Sequence, residues 1–418
     1  MRIVIVSCLF FLGTIAFAQK SWQKNMATAD AFLQVHEYAN AAKYYEFALN
    51  NNRSADVILK LAECKELLRE FDQAANWYRQ ALRYKSSKED VILKCARAHR
   101  NAGKYSLAKK YYKQYLSKSI DSLVGKNELA YCDSALKWME KDFPISVKNM
   151  SKINTIYSDV APTFYYEALL FSSNREGAVL KKKHGQTNEA FYNLYLTTKK
   201  DNGKWEASNP FGSVNSRNHD GAACFDKTYT SVYFTRSEHT QGQNENHSDQ
   251  NRLKLYKADK KHVGWTVAER FILNDSLYSF AHPSMSADGK FFYFTSDLPG
   301  GFGGFDIYVC VKVDENNWSA PINLGREVNS AGNEMYPWYD QNTKKLYFSS
   351  DGHLGMGGYD LYSTSLNQGN WSHVENLKYP INSSSDDFSI IWQNERLAYL
   401  CSNRKGGKGK EDLYQVQK

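Results

Sequence analysis

After residue 18 the chain has no apolar run near the roughly 18 residues a membrane helix needs, and mean hydropathy is −0.60. A helical membrane span is excluded beyond that point. Proline is scarce, with 8 in 418 residues, and none precedes Pro144. Of 25 glycines only Gly13, Gly103 and Gly125 lie before it. Residues 19–141 therefore carry almost no helix breakers, whereas 145–418 is rich in turn formers. Cysteine is sparse and widely spaced, with no CxxC pair. A chain of this length builds a core without staples, so Cys64, Cys95, Cys132, Cys224, Cys310 and Cys401 read as buried single thiols. A zinc-ligand set is unsupported. The nucleophile and metalloprotease signatures GxSxG, SxxK and HExxH are also missing.

The first 18 residues read as a secretory signal peptide: Arg2, an apolar stretch from Ile3 to Phe17, and a small-x-small cleavage site, Ala16-Phe17-Ala18. Cleavage after Ala18 would export the mature chain. Charge divides the remainder. Residues 19–141 hold 22 Lys+Arg against 14 Asp+Glu, while 142–418 holds 30 against 31. The basic balance belongs to the first region alone, and it is spread rather than clustered. A nucleic-acid partner is not expected, and the run Lys181-Lys182-Lys183-His184 reads as a solvated surface.

Repeats set the architecture. Tyr38, Ala41, Tyr45, Ala48 and Leu49 recur as Phe71, Ala74, Tyr78, Ala81 and Leu82, then as Tyr105, Ala108, Tyr112, Tyr115 and Leu116. The offsets are 33 and 34 residues. Each copy follows a second amphipathic stretch such as Val57–Cys64, so the unit is a pair of helices. A last helix is expected over Lys126–Lys141. The second region repeats at 52–63 residues: Phe171-Ser-Ser-Asn, Phe234-Thr-Arg-Ser, Phe294-Thr-Ser-Asp, Phe348-Ser-Ser-Asp and Leu400-Cys-Ser-Asn. A strand such as Asp306-Ile-Tyr follows, then a Trp at 205, 265, 318 or 371. In the third copy, strands are expected at His282–Met285, Phe291–Thr295, Asp306–Val313 and Trp318–Asn323. Four strands per copy make a propeller blade. Five blades are expected, with Ile145–Ile153 closing the last.

The helical period resembles the tetratricopeptide repeat, although the Pro that usually closes each repeat is missing and irregular ends are expected. The stretch Pro283-Ser-Met-Ser-Ala-Asp-Gly-Lys-Phe-Phe-Tyr-Phe294 resembles the WD-like repeat of TolB-type propellers. The fold class is thus an α-solenoid of tetratricopeptide repeats followed by an all-β propeller of five four-stranded blades. Its domains are residues 1–18 (signal), 19–143 (helices) and 144–418 (propeller). Signal, helical repeats and propeller together resemble the periplasmic proteins of gliding and type IX secretion systems. That resemblance implies a non-catalytic scaffold with a periplasmic or outer-membrane protein partner and no cofactor. The OmpA-like domain common in that family is not found after the fifth blade, which puts its peptidoglycan anchoring in doubt. The alternative class is a glycan-binding protein or glycan-processing enzyme that uses the central funnel.

Three sets of residues are candidates. In tetratricopeptide arrays the first helix of each pair lines a groove. Glu63, Arg97, Arg100 and Tyr131 fall there, with Arg97 and Arg100 on one helix face and suited to a partner carboxylate. The glycine-rich loops 296–306, 350–360 and 402–412 admit two readings. One is calcium held by Asp297 with Asp306 and by Asp351 with Asp360. The other is a hairpin in which glycines take positive φ and Asp caps the turn. The fifth copy replaces the flanking acids with lysines, which favours the hairpin. Finally, His239 and His247 flank Glu245 in a polar insertion, which reads as a solvated loop.

Overall fold

The computed structural model describes residues 21–51, 53–84, 89–119, 122–175, 187–238, 252–315 and 317–418. The expected signal peptide, the lysine run 181–184 and the His239, Glu245 and His247 group lie outside these residues. The chain divides into two compact units.

The helical unit comprises α1 (21–34), α2 (Tyr38–Leu49), α3 (Ala55–Leu67), α4 (Phe71–Ala81), α5 (Glu89–Asn101), α6 (Tyr105–Leu116) and α7 (Ser122–Met139). They pack as successive hairpins. The repeated small residues Ala41, Ala74 and Ala108 are fully buried and let paired helices approach, while Tyr45, Tyr78 and Tyr112 fill the space between them. These three tyrosine hydroxyls are buried with acids to receive their protons: Tyr45 donates to Asp30 (2.5 Å), Tyr78 to Glu66 (2.5 Å) and Tyr112 to Glu128 (3.0 Å).

The missing prolines do not leave the repeat ends irregular. His36, Arg69 and Gly103 each take positive φ, at 59°, 60° and 73°. Behind them the N–H groups of Glu37, Glu70 and Lys104 reach back five residues to Phe32, Lys65 and His99 carbonyls, at 2.8–2.9 Å. This is the Schellman closure, repeated three times. Two of the three residues are not glycine, so composition concealed it.

The second unit is five antiparallel sheets. Strand β1 (Ser146–Asn149) comes first. Blade 1 is β2 (Asp159–Tyr165), β3 (Ala168–Ser173), β4 (Asn193–Thr197) and β5 (Asn209–Pro210). Blade 2 is β6 (Asp220–Phe225), β7 (Ser231–Glu238), β8 (Arg252–Asp259) and β9 (Glu269–Arg270). Blade 3 is β10 (Phe280–Met285), β11 (Phe291–Ser296), β12 (Asp306–Val311) and β13 (Ile322–Asn323). Blade 4 is β14 (Glu334–Asp340), β15 (Lys345–Ser350), β16 (Asp360–Asn367) and a split outer edge, β17 (Asn370–Trp371) and β18 (Glu375–Asn376). Blade 5 is β19 (Asp387–Asn394), β20 (Leu397–Ser402) and β21 (Asp412–Gln417), completed by β1.

Strand β1 runs antiparallel to β21 from Ser146↔Gln417 to Asn149↔Tyr414, so the ring is closed by the segment expected to close it. The Trp positions differ from expectation. Trp205, Trp265 and Trp318 make single bridges to Lys199, Lys260 and Lys312, and the outer strand proper starts later. The ring is held by the repeated motif. Phe171, Phe234, Phe294, Phe348 and Leu400 are fully buried, each contributing ~1.5–3 kcal/mol. All six described cysteines are free and buried.

Candidate functional site

The groove residues are brought to one face, where they bond to one another. Consecutive first helices are joined by ion pairs: Lys60 with Asp30 (2.9 Å), Lys94 with Glu63 (2.6 Å), and Arg97 with Glu128 (2.7 Å). Arg100 takes the other Glu128 oxygen at 2.5 Å and lies 5.9 Å over the Tyr131 ring. Glu63, Arg97, Arg100 and Tyr131 therefore belong to a ladder running from α1 to α7. The guanidinium groups expected to meet a partner's carboxylate meet Glu128 instead.

The glycine-rich loops behave as capped hairpins. Asp306 accepts from the N–H groups of Phe302 (2.6 Å) and Gly303 (3.1 Å), and Asp360 from those of Met356 (2.7 Å) and Gly357 (2.9 Å). Asp297 accepts from Ser279 N–H and Asp351 from Asn333 N–H. In the fifth copy Asp412 caps Lys408 and Gly409 N–H in the same way. Gly303, Gly357 and Gly409 face the backbone of the neighbouring blade, where a Cβ would collide with the carbonyls of Gly332, Ser385 and Tyr157. The loops thus latch one blade to the next.

Sequence reasoning missed the arrangement at the inner strands. A residue opposite the third position of each Phe-Ser-Ser motif opens the strand, and in four blades it is an acid, Asp159, Asp220, Glu334 or Asp387, each fully buried. Three of these acids are paired: Arg175 with Asp159 (2.5 Å), Arg236 with Asp220 (2.6 Å) and Arg404 with Asp387 (2.5 Å). Glu334 is held by the hydroxyls of Ser330 and Ser350, both at 2.6 Å. In blade 3 the position is Phe280, and the buried Lys254 lies 6.0 Å over its ring. Burial raises the Asp220 and Glu334 carboxyls above the usual range despite these partners.

Two residues further on, each inner strand bulges. Ala161, His282, Tyr336 and Ser389 take positive φ of 52–55° there. The motif's second residue explains the hydroxyl preference. Across the blade boundary Thr235 Oγ1 accepts the His282 N–H (2.8 Å), Ser349 Oγ the Ser389 N–H (3.1 Å) and Cys401 Sγ the Ala161 N–H (3.1 Å). The signal was visible as the dipeptides Ala161-Pro162, His282-Pro283 and Tyr336-Pro337, read only as strand content.

These bulges line a cavity of about 260 Å³ at the mouth of the central channel, walled by all five blades. Further along the inner strands the passage narrows to about 40 Å³. Tyr192, His219, His282, Tyr336 and Phe388 supply rings, and Glu411 the one carboxylate among the described lining residues. Tyr192 donates its hydroxyl to Glu411 (3.0 Å) and its N–H to His219 Nδ1 (3.2 Å), so that imidazole is neutral with its proton on Nε2. His282 stacks on Tyr336 at 3.8 Å and bonds Thr295 Oγ1 at 3.0 Å. Burial pushes the His282 pKa down to about 3, so it too is neutral. Glycoside hydrolysis uses two carboxyl groups flanking the bond. The inner-strand acids are turned away into the blades.

No known protein family matches the chain, and no curated protein sequence matches it. Solved structures do resemble it. RS223-β-xylosidase shares 12% identity over 65% of this chain and 94% of its own, with a TM-score of 0.39. Zg3597, a family 117 glycoside hydrolase of Zobellia galactanivorans, shares 9% over 65% and 89%, at 0.40. A puromycin-hydrolyzing peptidase of Mycobacterium tuberculosis shares 12% over 62% and 46%, at 0.34. The chain thus spans about half the length of that peptidase, and 55% of Trypanosoma rangeli sialidase. At these identities and TM-scores the likenesses carry no argument about activity.

Proposed function

We propose that the protein is a non-catalytic scaffold of the bacterial envelope, holding a protein partner at the periplasmic side of the outer membrane. The resemblance drawn from its repeats points to a type IX secretion or gliding apparatus. The observation that carries the non-catalytic reading is the funnel itself. Its described lining offers one carboxylate, and the remaining inner-strand acids are occupied by arginine or serine. Helical arrays and propellers both serve as rigid frames for loops and grooves.

The ladder alters how the groove is tested. Reversing Arg97 and Arg100 to Glu would set three carboxylates together with Glu128 and disturb the helices directly. Helix faces outside the ladder are the better target. Tagged full-length protein is recovered from native envelopes after cross-linking in mild detergent, and its companions are identified by mass spectrometry. A stoichiometric outer-membrane or periplasmic protein, lost from the variant Phe47→Lys with Leu107→Lys at two exposed apolar positions, is the expected result. Recovery of the protein alone overturns the proposal.

A further inference from the structure

The propeller uses one combination three times: a carboxylate, aromatic rings and a guanidinium lying over them. In blade 1, Arg175 pairs with Asp159 and lies 5.2 Å from the Phe171 ring and 4.8 Å from that of Tyr195. In blade 2, Arg236 pairs with Asp220 and lies 5.0 Å over Phe234 and 4.6 Å over Tyr256. In blade 5, Arg404 pairs with Asp387 and lies 5.1 Å over Tyr414. Each case joins Coulomb attraction to the negative face of a ring, both strengthened by exclusion of water.

Two of these components face each other again at the channel mouth. The Glu411 carboxylate is oriented by the Tyr192 hydroxyl, and the Tyr192 and His219 rings lie 5.6 Å apart beside it. Across the cavity stand Tyr336 and Phe388, 5.3 Å apart, with His282 stacked on Tyr336. Both imidazoles are neutral, so the charge of the described lining is that of Glu411. The volume, about 260 Å³, lies just below the ~300–1,000 Å³ of sites for drug-sized ligands. It suits a side chain better than a whole oligosaccharide.

We infer that the channel mouth is a binding site for a cationic side chain, an arginine guanidinium presented by a peptide. Glu411 supplies the counter-charge, Tyr192 holds it in place, and the rings of His219, Tyr336 and Phe388 form the walls. Anionic ligands are repelled by the same carboxylate. The site stands independently of the envelope proposal, because it concerns the propeller's own lining and not the partner's location.

The test uses the full chain with N-acetyl-arginine methylamide as probe, followed by calorimetry or ligand-observed NMR. N-acetyl-norleucine methylamide is the neutral control and N-acetylglucosamine the sugar control. The arginine probe is expected to bind at least about tenfold more tightly than either. Glu411→Gln should weaken it by about tenfold, the size of one hydrogen bond to a charged group. Tyr192→Phe, which keeps the ring, should weaken it less, with the melting temperature of both variants unchanged. Absence of arginine-probe binding at ~10 mM, weaker than the affinities that correspond to even ~4 kcal/mol, would overturn the inference. So would equal binding of the norleucine probe, undiminished binding by Glu411→Gln, or preference for the sugar.

Discussion

The two halves of the molecule use ion pairs in opposite ways. In the helical half each pair joins one hairpin to the next across a surface open to water, and Lys94 and Glu63 each keep 38% of their side-chain exposure. In the propeller the pairs lie within a single blade, and the carboxylates of Asp159, Asp220 and Asp387 keep none. An exposed pair is screened and adds little, whereas a buried one cannot lose a partner without stranding a charge. The helical ladder therefore acts mainly on register between neighbours. The propeller pairs are conditions for the blade to exist.

Substitution makes this contrast measurable. Arg236→Met strands the Asp220 carboxylate and is expected to cost about 3–5 kcal/mol in urea unfolding followed by Trp fluorescence. Asp220→Leu with Arg236→Met should recover most of that loss. If the single variant costs less than ~1 kcal/mol, the distinction between the halves fails.

A pH scan gives an intermediate effect. Unfolded histidine takes up a proton below about 6.5, whereas folded His282 stays neutral down to about 3. The unfolded state thus binds more protons through this window, and stability falls as pH falls. Between pH 7 and 5 the loss is ~2 kcal/mol. The raised carboxyls of Asp220 and Glu334 act in the opposite direction, since a raised acid favours folding as pH falls. The comparison is therefore with His282→Gln, which shares them and should lose distinctly less stability on acidification. The smallest effect is expected in the ladder. Lys94→Met should change stability by less than ~1 kcal/mol, and only in the helical transition of a calorimetric scan.

The architecture was legible because both repeats write their packing into residue type. Alanine and tyrosine at a 33–34-residue period mark helix pairs, and Phe-Ser-Ser-Asp marks the second strand of a blade. The closing role of residues 145–153 followed from counting strands. Less was legible at the sites. Arg97 and Arg100 were correctly placed on one face, but a single chain gives no means of seeing that Glu128, 28 residues beyond Arg100, returns to them. The funnel was harder still. Glu411, Tyr192 and His282 come from three different blades, and no local spacing links them. Even the acids before the inner strands looked like ordinary turn residues until pairing set them opposite serine and arginine.

The closing strand has a temporal consequence. Asn149 donates to Asp412 across 263 residues of chain, and β1 has no partner until β21 exists. During synthesis the strand that completes the last blade is made before every other strand of the ring, and it must wait for all of them. Contacts so distant in sequence form slowly. Until they form, β21 presents an uncovered edge to any passing strand. The ring is thus the last thing the propeller acquires, and the interval before it closes is when misassembly competes with folding.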